Sequence, residues 1–217
     1  MKQDWEFIVY SHRQHPLHAQ VAEAIFRLVP DTARLTIIRE PGTAAQNSNR
    51  ALDAARSRYL FLLDEDAILF QRLWLPAMLT LAAKPDFGIG SCGEVPNQEV
   101  AATMGPEAVI GGRATRRGWF PGYVLLMDLM RCKGLRFDEN IPGAKAMSDV
   151  DICLQARARG LGCWLHKEAH VIHLEKPQEA GPRRAAGFTS TIEEEHSWGL
   201  AQAAYMTDKW GPRWLEI

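Results

Sequence analysis

Apolar and polar positions follow two different periods in the first half of the chain. Runs of consecutive apolar residues, mostly β-branched or aromatic, predict strands at 7–10, 35–38 and 59–63. Between these runs, apolar residues at helical spacing in 17–28 and an alanine-rich stretch at 44–57 predict helices. Strands that alternate with helices are typical of an α/β fold with an open, mostly parallel sheet.

The second half continues the alternation less regularly. The pattern predicts helices at 73–83 and 149–159, a return toward the sheet at 85–91, and strands at 123–127, 163–165 and 170–173. Thr191 followed by Glu194 fits a capping box and predicts the start of a closing helix. Residues 105–122, rich in glycine, arginine and proline, predict a loop over a site.

Composition narrows the class of protein. With 217 residues, 47% of them hydrophobic, the chain can build one substantial core, so we predict a single Rossmann-like domain over 1–217 with helices flanking the sheet. Lys plus Arg number 25 and Asp plus Glu 26, so no overall field favours nucleic acid as a partner.

Cysteine usage and hydropathy bear on location. The four cysteines form no CxxC pair, which favours reduced, buried thiols in a cytosolic protein. No apolar run approaches the ~20 residues that a transmembrane helix needs. We therefore expect a cytoplasmic protein with at most peripheral contact with a membrane; the oligomeric state is not predicted.

An acidic triplet follows the most apolar predicted strand. In open α/β sheets, ligands bind beyond the carboxyl ends of the strands, which is where Asp64, Glu65 and Asp66 stand. Extended residues two apart point the same way, so Asp64 and Asp66 can converge while Glu65 faces elsewhere. Adjacent carboxylates repel each other, and their oxygens suit Mg²⁺ or Mn²⁺. The alternative is a solvated acidic turn without a metal.

Two further residues carry candidate chemistry. Asp149 lies at the start of a predicted helix, where it could act as a general base toward an acceptor hydroxyl or simply complement the helix dipole. His173 ends a β-like run, where a neutral imidazole could complete a metal shell, although a lone histidine can equally be structural.

Other charged residues are weaker candidates. His12, His15 and His18 are expected at the surface or a pocket edge, because Pro16 interrupts the helix there. Two sets of arginines could clamp phosphate by bidentate contacts or be merely solvated. They are Arg113, Arg116 and Arg117 in one predicted loop, and Arg183 and Arg184 in another. The second of these loops, 176–187, could close over a bound donor.

The order of these motifs resembles that of the family 2 glycosyltransferases of the A-type, nucleotide-diphospho-sugar transferase fold. Residues 42–47 with 50–52 resemble the family's glycine-to-asparagine segment, and 59–66, YLFLLDED, resemble its strand ending in the DxD motif. Residues 120–139, which end in Phe-Asp-Glu, look like its acceptor-side segment.

The resemblance continues to the end of the chain. Asp149 matches the aspartate of the family's "ED" motif, and His173 matches a histidine after the next strand. Tyr205 with 209–211, Lys-Trp-Gly, resembles the family's closing aromatic and "KWG". The match therefore covers most of the chain.

The resemblance implies a metal-dependent, inverting glycosyltransferase of polysaccharide or glycoconjugate biosynthesis. It implies that Mn²⁺ or Mg²⁺ is held by Asp64, Asp66 and His173, and that Asp149 is the catalytic base. A nucleotide-diphospho-sugar, expected to be a UDP-sugar, would be bound by Tyr10, Ser11, Arg13, Glu40, Asn47, Asp64, Glu65 and Asp66. Residues 1–90 would form the donor half, and 91–217 the half that binds a glycan, lipid-linked or small-molecule hydroxyl acceptor.

Three departures from the family pattern keep other readings open. The strand that reads the nucleobase is compressed into 35–40, Ser148 replaces the first acid of "ED", and Leu135-Arg136 replace a glycine pair. Base recognition then falls to Glu40, Asn47 or the turn after the first strand. The alternatives are a non-catalytic sugar-nucleotide or glycan-binding protein, a nucleotidyltransferase on a related fold, or a metal-dependent phosphodiester hydrolase.

Overall fold

The computed structural model describes residues 4–10, 17–29, 34–95, 98–106, 113–143, 147–173 and 192–214. In these residues the strands are β1 Trp5–Tyr10, β2 Arg34–Ile38, β3 Tyr59–Asp64, β4 Ala67–Leu69, β5 Phe87–Val95, β6 Ala114–Arg117, β7 Val124–Asp128 and β8 Gly162–His173. The helices are α1 Leu17–Leu28, α2 Ala44–Ala54, α3 Trp74–Leu81, α4 Gln98–Met104, α5 Ser148–Ala158 and α6 Ile192–Trp210.

The strands form one sheet in the order β2-β1-β3-β7-β5-β8-β4, with β6 pairing against β8. The predicted α/β sheet flanked by helices is confirmed. β2, β1 and β3 are parallel, as are β5 and β8, whereas β7 runs antiparallel to both of its neighbours. β4 and β6 are also antiparallel to β8, so the sheet is mixed.

The register aligns the carboxyl ends of the first three strands. Tyr10, the last residue of β1, pairs with Ile38 of β2 and with Asp64 of β3. The residues that follow these strands therefore meet at one edge, hereafter the carboxyl edge of the sheet.

Both faces of the central strands are buried. In β1, Phe7 and Val9 pack with α1 and α3 on one face, while Ile8 packs with α2 and α5 on the other. The run of apolar residues in β3 before Asp64 is explained in the same way, because a strand covered on both sides has no polar face.

Helix α2 begins with a capping box. Thr43 accepts a hydrogen bond from the backbone N–H of Gln46, and the Gln46 side chain accepts one from the N–H of Thr43. The capping box predicted for Thr191 and Glu194 falls partly on Thr191, which lies outside the described residues.

Strand β8 contains a bulge between the two segments, 163–165 and 170–173, that the sequence predicted as separate pieces of strand. Cys92 of β5 pairs with His166, but the next residue, Gly93, pairs with His170. The His166 ring stabilises the bulge, because its Nδ1 accepts the N–H groups of Glu168 and Ala169. The two predicted pieces of strand are thus one strand.

The closing helix α6 is tied to α5 by buried polar contacts. Asp151 of α5 accepts hydrogen bonds from Trp210 Nε1 at 2.7 Å and Lys209 Nζ at 2.9 Å. Lys209 also reaches Asp138, which accepts a further bond from the Tyr205 hydroxyl. Within the part of the chain that the structure describes, no helix is both long enough and apolar enough to cross a membrane.

Candidate functional site

Three potential metal ligands meet at the carboxyl edge of the sheet. Asp64 ends β3, Asp66 lies in the turn that leads to β4, and His173 ends β8. His173 is brought close because it pairs with Ala67, the residue after Asp66. One ligand atom from each of the three residues lies within 4.8 Å of the other two.

The His173 ring is held between two carboxylates. Its Nε2 lies 3.4 Å from Oδ1 of Asp66, and its Nδ1 lies 2.6 Å from Oε2 of Glu94. Burial by itself would lower the pKa of His173, but Asp66, Asp64 and Glu94 outweigh burial and raise that pKa to about 9. The cluster therefore attracts positive charge.

This arrangement fits a divalent cation. Two carboxylates and an imidazole form an oxygen-rich donor set with one nitrogen, which suits Mn²⁺ and Mg²⁺ better than a thiolate-seeking metal. The Nε2 atom of His173 is buried, and at 3.4 Å its contact with Asp66 is an ion pair without hydrogen-bond geometry. A cation at this point would give that nitrogen a partner and offset the repulsion between the two aspartates.

Tyr10 lies against the same cluster. Its side chain is only 5% exposed and forms a hydrogen bond with Asp64. Burial raises the pKa of Tyr10 well above its usual value, and the charges of Asp64, Asp149 and Asp66 add to the effect. The hydroxyl therefore stays protonated and can donate to Asp64.

Asp149 stands in the first turn of α5, facing the loop that precedes β7. Its Oδ2 accepts the Gly122 N–H at 2.7 Å, and its Oδ1 accepts the Val150 N–H at 2.9 Å. Burial raises the pKa of Asp149 and the charge of Asp64 adds to it, although the backbone hydrogen bonds oppose the change. A buried carboxylate near the cluster is a stronger base than an exposed one.

The predicted nucleotide-binding residues differ in burial and in location. Asn47 is fully buried in α2, where its Oδ1 accepts a hydrogen bond from Nη1 of Arg50 at 2.5 Å. Glu40 is exposed in the loop after β2. Glu65 lies half-buried in the turn after β3. Ser11 and Arg13 lie outside the described residues, as do His12 and His15 and the side chain of His18.

The arginines proposed as phosphate clamps are not brought to the cluster. Arg116 and Arg117 are in β6, where Arg117 pairs with Cys163 near the start of β8, the end remote from His173. Arg116 forms an ion pair with Asp86 at 3.2 Å, and Arg113 lies 3.5 Å from Glu168. The loop expected at 105–122 thus contains an edge strand. Arg183, Arg184 and the 176–187 loop lie outside the described residues.

The structure also contains a groove of about 770 Å³. Its lining includes Arg27, Phe70, Arg72, Ala101 and Ile172. Ile172 precedes His173 in β8, so the two side chains point to opposite faces of the strand. The described lining residues include no carboxylate, so the groove does not offer the set of potential ligands for a divalent cation that Asp64, Asp66 and His173 form.

Sequence reasoning missed Glu94 and Tyr123. Tyr123 stacks on His173 with ring centroids 5.0 Å apart, and its hydroxyl donates to the Cys92 carbonyl at 2.7 Å. Nothing in the surrounding sequence distinguishes either residue. Their contacts with His173 depend on which strands are neighbours in the sheet.

Comparisons with known proteins identify the fold. No protein-family model and no curated protein matches the chain. Among solved structures, the mannosyltransferase PcManGT from Pyrobaculum calidifontis, in complex with GDP-Man and Mn²⁺, has a TM-score of 0.61 at 17% identity. The match covers 92% of this chain and 61% of that one.

Two further structures are similar. The glucosyl-3-phosphoglycerate synthase from Mycobacterium tuberculosis, in complex with Mg²⁺ and UDP, has a TM-score of 0.52 at 12% identity, covering 81% of this chain and 73% of that one. GalNAc-T7 with UDP, GalNAc and Mn²⁺ has a TM-score of 0.59 at 9% identity, covering 80% and 44%. The chain thus spans less than two thirds of PcManGT and of GalNAc-T7. Its fold is the A-type fold of the nucleotide-sugar glycosyltransferases.

Proposed function

We propose that the protein is a metal-dependent glycosyltransferase, of family 2 type, that moves a sugar from a nucleoside-diphosphate donor to a hydroxyl acceptor. The observation that carries the proposal is the convergence of Asp64, Asp66 and His173 at the carboxyl edge of an A-type sheet. In open α/β folds this edge is where ligands bind.

Asp64, Asp66 and His173 would hold Mn²⁺ or Mg²⁺. When bound, the cation supplies Lewis-acid stabilisation for a diphosphate leaving group. The Tyr10 hydroxyl donates a hydrogen bond to Asp64 and so fixes the orientation of that carboxylate.

Asp149 is the proposed general base. It takes the proton from the acceptor hydroxyl, whose oxygen forms a bond to the anomeric carbon while the bond from that carbon to the diphosphate oxygen breaks. One displacement of this kind inverts the anomeric centre. Burial supports this role, because it raises the pKa of Asp149 and so strengthens it as a base.

The donor is proposed to be a UDP-sugar, and the acceptor a glycan, lipid-linked or small-molecule hydroxyl compound. Structural neighbours contain UDP with Mg²⁺ or Mn²⁺, and one contains GDP-Man with Mn²⁺. These ligands support a nucleoside diphosphate as the shared part of the donor. Nucleotide-binding measurements identify the nucleobase.

Calorimetry tests the proposal. UDP, GDP, ADP and CDP are titrated with and without Mn²⁺ into the wild type, Asp64→Ala and Asp208→Ala, in which an exposed acid of α6 is removed as the matched control. We expect one nucleotide to bind only with Mn²⁺, to lose that binding in Asp64→Ala and to keep it in Asp208→Ala. If none of the four nucleotides binds, or if the affinity changes neither with Mn²⁺ nor in Asp64→Ala, the proposal is wrong.

A further inference from the structure

Glu94 contacts the candidate metal ligand His173 from the neighbouring strand. It is the penultimate residue of β5, paired with Val171 of β8, and from there its side chain reaches the end of β8. Glu94 Oε2 lies 2.6 Å from Nδ1 of His173, a distance typical of a charge-assisted hydrogen bond.

This contact determines which ring nitrogen carries a proton. An ionised carboxylate can only accept hydrogen bonds, so Nδ1 of His173 must be the donor. When the ring is neutral, the proton shared with Glu94 stays on Nδ1 and the lone pair lies on Nε2. That nitrogen is the one that faces Asp66, at 3.4 Å.

A second contact restrains the face of the ring. Tyr123 stacks on His173 with an angle of 27° between the ring planes, and Tyr123 is itself fixed by its hydrogen bond to the Cys92 carbonyl. The imidazole is therefore held at one edge by Glu94 and on one face by Tyr123, which leaves the Nε2 edge directed at the two aspartates.

We propose that Glu94 is a positioning residue that holds His173 with Nδ1–H toward β5 and Nε2 toward the divalent cation. The inference rests on the metal-dependent function proposed above. Histidines that bind metals commonly donate their other ring N–H to a carboxylate or carbonyl, and loss of that partner typically weakens metal binding 10–100-fold.

Glu94 acts through the histidine and is not itself a ligand. The described His, Cys, Asp and Glu side chains whose ligand atoms converge are Asp64, Asp66 and His173, and Glu94 is not among them. Its side chain is 46% exposed and is directed at the far side of the ring. Removing Glu94 should therefore matter only while His173 is present.

The experiment measures the affinity of Mn²⁺ alone, from the electron paramagnetic resonance signal of the free ion. The proteins are the wild type, Glu94→Gln, Glu94→Ala, His173→Ala, the double variant Glu94→Ala/His173→Ala, and Glu99→Gln as a matched charge-removal control on α4. We expect Glu94→Ala to weaken binding at least tenfold and Glu94→Gln to weaken it less, because the amide oxygen can still accept Nδ1–H. In the His173→Ala background, Glu94→Ala should change affinity less than twofold, and Glu99→Gln should have no effect.

A readout without metal separates this inference from the proposed function. In protein with ¹⁵N-labelled histidine, the Nδ1–H of His173, assigned by its loss in His173→Ala, should give a downfield, slowly exchanging resonance that is absent in Glu94→Ala. If that resonance survives in Glu94→Ala, or if Mn²⁺ affinity falls equally in both backgrounds, the inference is overturned. Mn²⁺ binding that depends on Glu94 but never supports nucleotide binding would instead overturn the proposed function alone. A wild type that binds no Mn²⁺ would overturn both.

Discussion

The Asn49 side chain bonds to both backbone groups of Phe137, 88 residues further along the chain. Asn49 Nδ2 donates to the Phe137 carbonyl at 2.9 Å, and its Oδ1 accepts the Phe137 N–H at 2.9 Å. Nδ2 also donates to Glu139 Oε1. Helix α2, next to the carboxyl edge, is thereby fixed to the segment that precedes α5 and Asp149.

Asn49→Ala should lower the free energy of unfolding by about 2–4 kcal/mol, because it leaves a buried N–H and a buried carbonyl without partners. Urea denaturation measures the change. The control is Asp53→Ala, which removes an exposed ion pair with Arg136 and should cost less than about 1 kcal/mol. Equal losses in the two variants would show that the Asn49 contacts contribute no more than a surface pair.

Asp138 should make the protein less stable as the pH falls from 4 to 2. Burial alone would raise its pKa, but hydrogen bonds from Lys209, Asn140 and Tyr205 outweigh burial and hold the pKa at about 2, below the usual 3.8. Folding therefore favours the ionised form. The resulting stabilisation is fully present above the unfolded pKa and is lost as pH falls through the folded one.

The measurement compares the wild type with Asp138→Asn by urea denaturation between pH 7 and pH 2. We expect the wild type to be more stable by about 2–3 kcal/mol at pH 7, given ~1.4 kcal/mol per pKa unit, and the difference to shrink toward pH 2. A difference that stays constant with pH would contradict the assignment. Asp208→Asn, at an exposed position of α6, should match the wild type throughout.

Gly122→Ala should impair turnover more than donor binding. A Cβ at this position would lie 2.7 Å from Cβ of Asp149, so the proposed base must move. Misplacement of a catalytic group by about 1 Å can cost on the order of 100-fold in rate. Transfer assays and nucleotide titration measure the two effects separately. Gly199→Ala in α6, where a Cβ meets nothing within 4 Å, should leave both unchanged.

Asp149→Asn should lower the rate of sugar transfer by about 10²–10⁴-fold while metal-dependent nucleotide binding persists. Both carboxylate oxygens accept backbone N–H groups, so the asparagine NH₂ must face one of these donors, and we also expect a loss of about 1–3 kcal/mol in stability. Thermal unfolding establishes that the variant is folded at the assay temperature. A folded variant with wild-type turnover would eliminate Asp149 as the base.

The sequence predicted the elements whose signals are local. β1, β2 and β3 appear in the sequence as apolar or β-branched runs, and α1 and α2 as helical patterns. The signal is clear for β1 and β3 because a strand that is buried on both faces requires consecutive apolar residues. The placement of Asp64 at the carboxyl edge followed from the end of β3. The roles of Asp64, Asp66, His173 and Asp149 stay predictions.

The sequence did not predict features that depend on contacts between distant residues. The insertion of β7 between β3 and β5, antiparallel to both, depends on strand pairing rather than on the composition of β7. The β8 bulge was missed because polar residues 166–168 interrupt the apolar pattern. Glu94 was missed because its partner His173 is 79 residues away.

The short ladder between β4 and β8 affects how easily the sheet opens next to the cluster of Asp64, Asp66 and His173. In the part of the chain that the structure describes, β4 is the terminal strand of the sheet order, and three residue pairs join it to β8, one of which contains His173. Terminal strands with few ladder hydrogen bonds open locally at a small free-energy cost, whereas central strands such as β1 and β3 are expected to open only when the whole domain unfolds. A ligand that binds the closed form lowers the population of the open form by mass action. Occupancy of the cluster could therefore be followed at the backbone, as slower amide hydrogen exchange in β4, without a substrate.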